Sequence, residues 1–125
     1  LGGQYPLEIL GSGNQIRSYT YVDDVAGGII FAAEHAENDD FNIGTGAETS
    51  VTQLAEMVWN ICGRKELLQF KHLEPYQYDV QKRIPDATKL RKLGWQAETP
   101  LEEGLKTTIE WLKGNRQAIN SGLGG

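Results

Sequence analysis

Arg17, Tyr19 and Tyr21 occupy alternate positions in the stretch Ile16 to Val22, which is rich in aromatic and β-branched residues. Side chains two residues apart on a strand share a face, so one guanidinium and two phenol rings would line a single surface. On spacing alone this row reads first as a solvated edge strand with protective polar groups, and second as a binding surface. Further along, Lys82-Arg83 beside Asp79 is a basic cluster outside the predicted helices. An arginine grips a phosphate through two parallel N–H bonds, whereas a lysine acts as a point charge.

Other chemistries find less support. His35, Cys62 and His72 are far apart, and no two stand at metal-ligand spacing, so no metal site is expected. There is no G-x-S-x-G turn, and neither histidine has an evident nucleophile to activate. Gly44-Thr45-Gly46 follows a strand candidate and precedes a helix, where a dinucleotide fingerprint would lie, but Thr49 stands at the third glycine position. It reads as a tight strand-to-helix turn, although a helix N-terminus there can still receive a phosphate. Tyr78 and Lys82 spell Y-x-x-x-K, a pairing in which the lysine lowers the tyrosine's pKa. The segment is polar and flanked by prolines without helical periodicity, so the match reads as chance.

Several elements must position these residues. Leu7 to Leu10 and Ile16 to Val22, separated by Gly11-Ser-Gly-Asn-Gln15, predict a β-hairpin. Asp23 or Asp24 can cap a helix reaching about His35, with Val22, Val25, Ile29, Ala33 and Ala36 on one face. Gly27 and Gly28 inside it imply either a close packing partner or a kink. Phe41 to Ile43 predicts a short strand. Ser50 and Gln53 form a capping box for a helix with Leu54, Met57, Val58, Ile61 and Cys62 as its buried stripe, stopped at Gly63.

Leu67 to Leu73 predicts a strand, and Glu74 to Pro85 reads as irregular. Asp86 can cap a short helix, Ala87 to Leu93. Thr99 as N-cap, Pro100 at the first helical position and Glu102 reaching back open a last helix, with Leu101, Leu105, Ile109 and Leu112 inward, Glu102 four residues before Lys106, and Gly114 at its end. Residues 114–125 would form a mobile tail. The whole is an α/β or α+β chain with a small sheet and about four helices.

With 125 residues, 39% of them hydrophobic, the chain suits one domain, 1–125. Its net charge of −5 disfavours a nucleic-acid partner. The longest apolar stretch, Ala26 to Ala33, is too short to span a membrane, and no leader pattern opens the chain. A single cysteine points to a reducing, cytoplasmic setting. The start at Leu1 reads as a processed product or a piece of something longer.

Taken in series, these motifs resemble the C-terminal, substrate-binding region of the extended short-chain dehydrogenases/reductases, the nucleotide-sugar epimerases and dehydratases. The matching residues are Gly11-Ser-Gly-Asn-Gln-Ile-Arg17-Ser-Tyr19-Thr-Tyr21-Val-Asp-Asp-Val-Ala26, Phe41-Asn-Ile-Gly-Thr-Gly46, Asp79-Val-Gln-Lys-Arg83-Ile-Pro-Asp86, Leu93-Gly-Trp95 and the helix from Pro100 to Trp111. Order and spacing agree over about residues 7–113. The resemblance implies a partial Rossmann-like fold and a nucleoside-diphosphate sugar as ligand. It also implies NAD or NADP held by a separate N-terminal Rossmann part, and transient oxidation at the sugar C4 followed by epimerisation, dehydration or decarboxylation.

By motif position, Arg17 resembles a contact to the substrate diphosphate and Tyr19 its neighbour on the same strand. Asp79 resembles an aspartate near the nucleotide ribose, and Arg83 ends a D-x-Q-K-R pattern similar to that of sugar-nucleotide decarboxylases. The position three before Asp79, an arginine in many epimerases, is Tyr76. The family's glycine-rich cofactor loop and catalytic Tyr/Lys pair have no counterpart here, so the chain alone is expected to bind no cofactor, supply no catalytic residue and turn nothing over. The alternative is a non-catalytic module that self-associates, as a homodimer, or binds a nucleotide without chemistry.

Overall fold

The computed structural model describes residues 5–122. Strand β1 (Leu7–Leu10) runs parallel to β4 (Phe70–Leu73), pairing Leu7 with Phe70 and Leu10 with Leu73. A second sheet has the order β3-β2-β5, with β2 (Ile16–Arg17) antiparallel to β3 (Thr49–Ser50) and parallel to β5 (Lys82–Arg83). The helices are α1 (Val22–His35), α2 (Val51–Ile61), α3 (Thr88–Leu93), α4 (Leu101–Gly114) and α5 (Arg116–Gly122). The fold is α/β, with two small sheets and five helices among the described residues.

The predicted hairpin is absent: β1 and β2 belong to different sheets. Two glycines with positive φ, Gly11 (+73°) and Gly13 (+80°), turn the chain away from β1. The Gly13 carbonyl then accepts from the Thr52 N–H and hydroxyl of α2, and the Gln15 carbonyl from the Val51 N–H. The loop is therefore tied to a helix start and does not close a two-stranded turn. Phe41 to Ile43 forms no strand, the strand expected from Leu67 begins at Phe70, and the stretch read as irregular contains β5.

Local helix signals were followed closely at α2. The Ser50 hydroxyl accepts from the Gln53 N–H at 3.1 Å while the Gln53 side chain accepts from the Ser50 N–H at 2.9 Å. The expected stripe of this helix is half-buried, and Trp59 is its buried residue. In α1 neither aspartate caps its own helix; Asp24 instead accepts from the Thr99 N–H at 2.9 Å, joining α1 to the approach to α4. Burial pushes the Asp24 carboxyl up, but bonds from Thr99 and the Glu98 backbone outweigh it and leave the pKa lowered.

The apolar face expected for α1 is corrected in part, because Val22 and Ile29 are 68% and 56% exposed. The side that packs is the one bearing Gly28, where a Cβ would lie 2.7 Å from Ile43 and 2.9 Å from the Trp95 ring. Gly27 has nothing within 4 Å. Close packing thus explains one glycine of the pair. Gly94, at φ +114°, ends α3 and delivers Trp95 to this contact.

In α4, Ile109 is buried and Leu101, Leu105 and Leu112 are half-buried, as the spacing requires. Pro100, not Thr99, is its N-cap, and no side chain caps it. Glu102 meets Lys106 at 2.7 Å. The helix includes Gly114, and the chain continues as α5 through Gly122, where the sequence had predicted a mobile tail; residues 123–125 of that tail lie outside the described residues. Ile9, Trp59, Ala87, Leu90 and Ile109 are the buried hydrophobic residues.

Candidate functional site

The β2–β5 pair builds the site. In-register partners on adjacent strands project to the same face, and Arg17 is the partner of Arg83. Two like charges side by side on a sheet repel. The repulsion is relieved on one side only: Arg17 Nη2 donates to Asp79 Oδ1 at 3.2 Å, and Nη1 to its neighbour's carbonyl, Ile16 O, at 2.9 Å. Asp79 also accepts on Oδ2 from Gln15 Nε2 at 3.1 Å. Arg83 is exposed and makes no ion pair among the described residues. Its neighbour Lys82 projects to the other face and meets Glu48 at 2.6 Å.

Three of the four sequence-predicted site residues, Arg17, Asp79 and Arg83, are thus brought together, from elements more than 60 positions apart. Tyr19 is not on their strand, because β2 ends at Arg17. The alternation expected through Tyr19 and Tyr21 fails, and both residues instead line a hollow of about 120 Å³ against Leu101, Gly104, Leu105 and Thr108 of α4. Gly104 permits this approach: a Cβ there would stand 3.1 Å from the Tyr21 ring. Gln15, which no motif argument singled out as a site residue, is the member sequence reasoning missed. A glutamine between turn glycines and a strand carries no sequence signal of its own burial.

The chain carrying these residues is similar to known proteins over most of its length. The family model of GDP-mannose 4,6 dehydratase matches residues 1–108. The chain belongs to this family. A UDP-glucuronate 4-epimerase of Thermodesulfobacterium geofontis is 35% identical over 118 residues, which are 93% of this chain and 36% of that protein. The crystal structure of a UDP-glucose 4-epimerase from Thermotoga maritima with UDP-glucose superposes with a TM-score of 0.79 at 41% identity, over 87% of this chain and 35% of the other. A UDP-glucuronic acid 4-epimerase from Bacillus cereus, in complex with UDP-glucuronic acid and NAD, gives a TM-score of 0.76 at 27% identity, over 86% of this chain and 35% of the other. The chain therefore spans about a third of the length of these relatives. The relatives are nucleotide-sugar enzymes of the extended short-chain dehydrogenase/reductase type, the relationship expected from the motifs.

The Gly44–Gly46 turn does not fit a dinucleotide. The Thr45 N–H is taken by the Thr20 hydroxyl at 3.1 Å, the Thr45 carbonyl by the Ser18 hydroxyl at 2.5 Å, and a Cβ at Gly44 would stand 2.7 Å from Pro85. No strand precedes it, so the strand–turn–helix cradle of a cofactor pyrophosphate is not formed there. Tyr78 and Lys82 share no helix, and Tyr78 is 86% exposed. Among the described residues no three His, Cys, Asp or Glu side chains converge as metal ligands, and no helix is long and apolar enough to cross a membrane.

Proposed function

We propose that this chain is the substrate-binding portion of an NAD(P)-dependent nucleotide-sugar epimerase or dehydratase, and that Arg17 and Arg83 together hold the diphosphate of a nucleoside-diphosphate sugar. The observation that carries the reading is the register of β2 and β5, which sets two arginines side by side with one carboxylate, Asp79, bonded to Arg17 alone. A diphosphate carries the negative charge that this arrangement lacks, and guanidinium forks match its oxygens. The overall negative charge of the chain is no obstacle, since local potential governs binding. Asp79 serves Arg17 in this reading, and any ribose contact is shared with that role.

Cofactor binding and hydride transfer belong to the remaining two-thirds of the length of such enzymes. Nothing in the described residues positions a nicotinamide, so the chain alone is expected to bind the sugar nucleotide without converting it. Calorimetric titration of the 125-residue chain with UDP-glucose tests the reading. Arg17→Ala and Arg83→Ala should each lower affinity about tenfold, as loss of a charge-assisted bond does, while uridine should bind all three chains alike. Unchanged UDP-glucose affinity in both variants would refute the diphosphate assignment. Turnover of UDP-glucose by the pure chain would refute its inactivity.

A further inference from the structure

Gln15 is 6% exposed, the most buried polar side chain of the described residues. Its Nε2 donates to Leu10 O at 2.7 Å, at the end of β1, and to Asp79 Oδ2 at 3.1 Å. Both amide hydrogens are thereby used, and a flipped amide would set an oxygen against two acceptors, so the orientation is determined. The cost falls on Oε1, which is buried with no hydrogen-bond partner. A buried amide kept at the expense of an orphaned acceptor calls for an explanation beyond stability.

The geometry points to Gln15 as a positioning residue for the anion site: it fixes the Asp79 carboxylate, and through it the Arg17 guanidinium. This rests on the diphosphate reading given above. Asp79 lies in a stretch of turns and bends between β4 and β5, where the neighbouring Tyr76 and Tyr78 are 71% and 86% exposed. The backbone of Asp79 is held only within its own loop, its N–H donating to Tyr76 O and its carbonyl accepting from Gln81 Nε2 at 3.3 Å, and neither bond fixes its carboxylate. Gln15, by contrast, is anchored at both ends, its carbonyl accepting from Val51 N and its amide donating to Leu10 O. The relay therefore runs from two sheets and α2 into a loop carboxylate, and from that carboxylate to the guanidinium. An arginine held this way meets a diphosphate with its rotamer already ordered, which lowers the entropy lost on binding.

The test uses UDP-glucose with the 125-residue chain and three readouts. In Gln15→Met, which keeps the length of the side chain and removes its polar atoms, UDP-glucose affinity should fall about fivefold. In the same variant, the resolved Nη proton signals of a held Arg17 should collapse to those of a freely rotating guanidinium. In the unaltered chain the Gln15 Nε2 signals should shift when UDP-glucose is added, and Asp79→Asn should abolish that response; this pair of measurements does not depend on the Met variant folding. Affinity and Nη signals unchanged in a folded Gln15→Met, or Gln15 Nε2 signals that stay still while those of Arg17 move, would overturn the relay. Loss of binding in Arg17→Ala together with an unaffected Gln15→Met would remove the relay alone, whereas full binding by Arg17→Ala would remove the relay with Arg17, and full binding by Arg83→Ala as well would remove the diphosphate site.

Discussion

Arg17 and Arg83 are held differently, and the difference has consequences for conservative replacement. Arg17 uses two nitrogens on protein acceptors at fixed distances, while Arg83 is exposed and unpaired among the described residues. A lysine has one nitrogen where Arg17 uses two, so it cannot reproduce the separate bonds to Ile16 O and Asp79 and still present a fork to a phosphate. Arg17→Lys should therefore weaken UDP-glucose binding about fivefold or more, and Arg83→Lys only about twofold, measured in parallel titrations. A second contrast concerns adjacent glycines. Gly28→Ala would force Ile43 or Trp95 to shift and should destabilise the fold by about 1–3 kcal/mol. Gly27→Ala meets open space and should stabilise it by about 0.5–1 kcal/mol, both read from denaturant unfolding. The sequence showed that a helical Gly-Gly pair needs a reason, but not which member had one. It also pointed to Arg17, Asp79 and Arg83 through motif position, yet left Gln15 unremarked, because a glutamine beside turn glycines resembles any loop residue until its burial is known.

Elements whose signals are local were the legible ones. The capping box of α2 needs only Ser50 and Gln53, three residues apart, and it forms as read. Ser50→Ala should lower stability by about 1 kcal/mol. Pairings across long separations were not legible. β1 finds its partner about 60 positions away in β4, and β5 is two charged residues with no apolar pattern, defined only by lying against β2. The Gly-rich break after Leu10 looked like a hairpin turn because turn chemistry is the same whether the chain returns to its own strand or leaves for a helix. Asp23 or Asp24 reads as a cap because carboxylates favour helix starts; the competing donor, the Thr99 N–H, is 75 positions from Asp24 and invisible in the sequence. The lowered pKa of Asp24 carries a pH dependence with it. Its bond to Thr99 contributes stability that is present above the ordinary carboxylate value of 3.8 and is lost as pH falls through the lowered folded value. Acid unfolding of Asp24→Asn should be less steep below about pH 4 than that of the unaltered chain; identical acid limbs would show that the bond contributes nothing.

Across the whole molecule, the described residues combine the proposed anion site at β2–β5 with apolar surface left open on the helices. Val22, Ile29 and Ile30 of α1 and Trp111 of α4 are each more than half exposed. Apolar surface of this kind favours association, so sedimentation of the chain alone should show mass rising with concentration. A single species of monomer mass across the concentration range would contradict that. Fold class was legible at this scale because helix periodicity and family motifs run nearly the length of the chain, whereas the division into two separate sheets depends on registers that no stretch of sequence encodes by itself. The most direct measurement of the central claim is a double-mutant cycle on UDP-glucose affinity with Arg17→Ala, Arg83→Ala and the pair. Two guanidiniums on one diphosphate should be coupled, the double variant losing less than the sum of the single losses by about 0.5–3 kcal/mol. Strictly additive losses, or none, would mean that the paired arginines of β2 and β5 do not share a ligand.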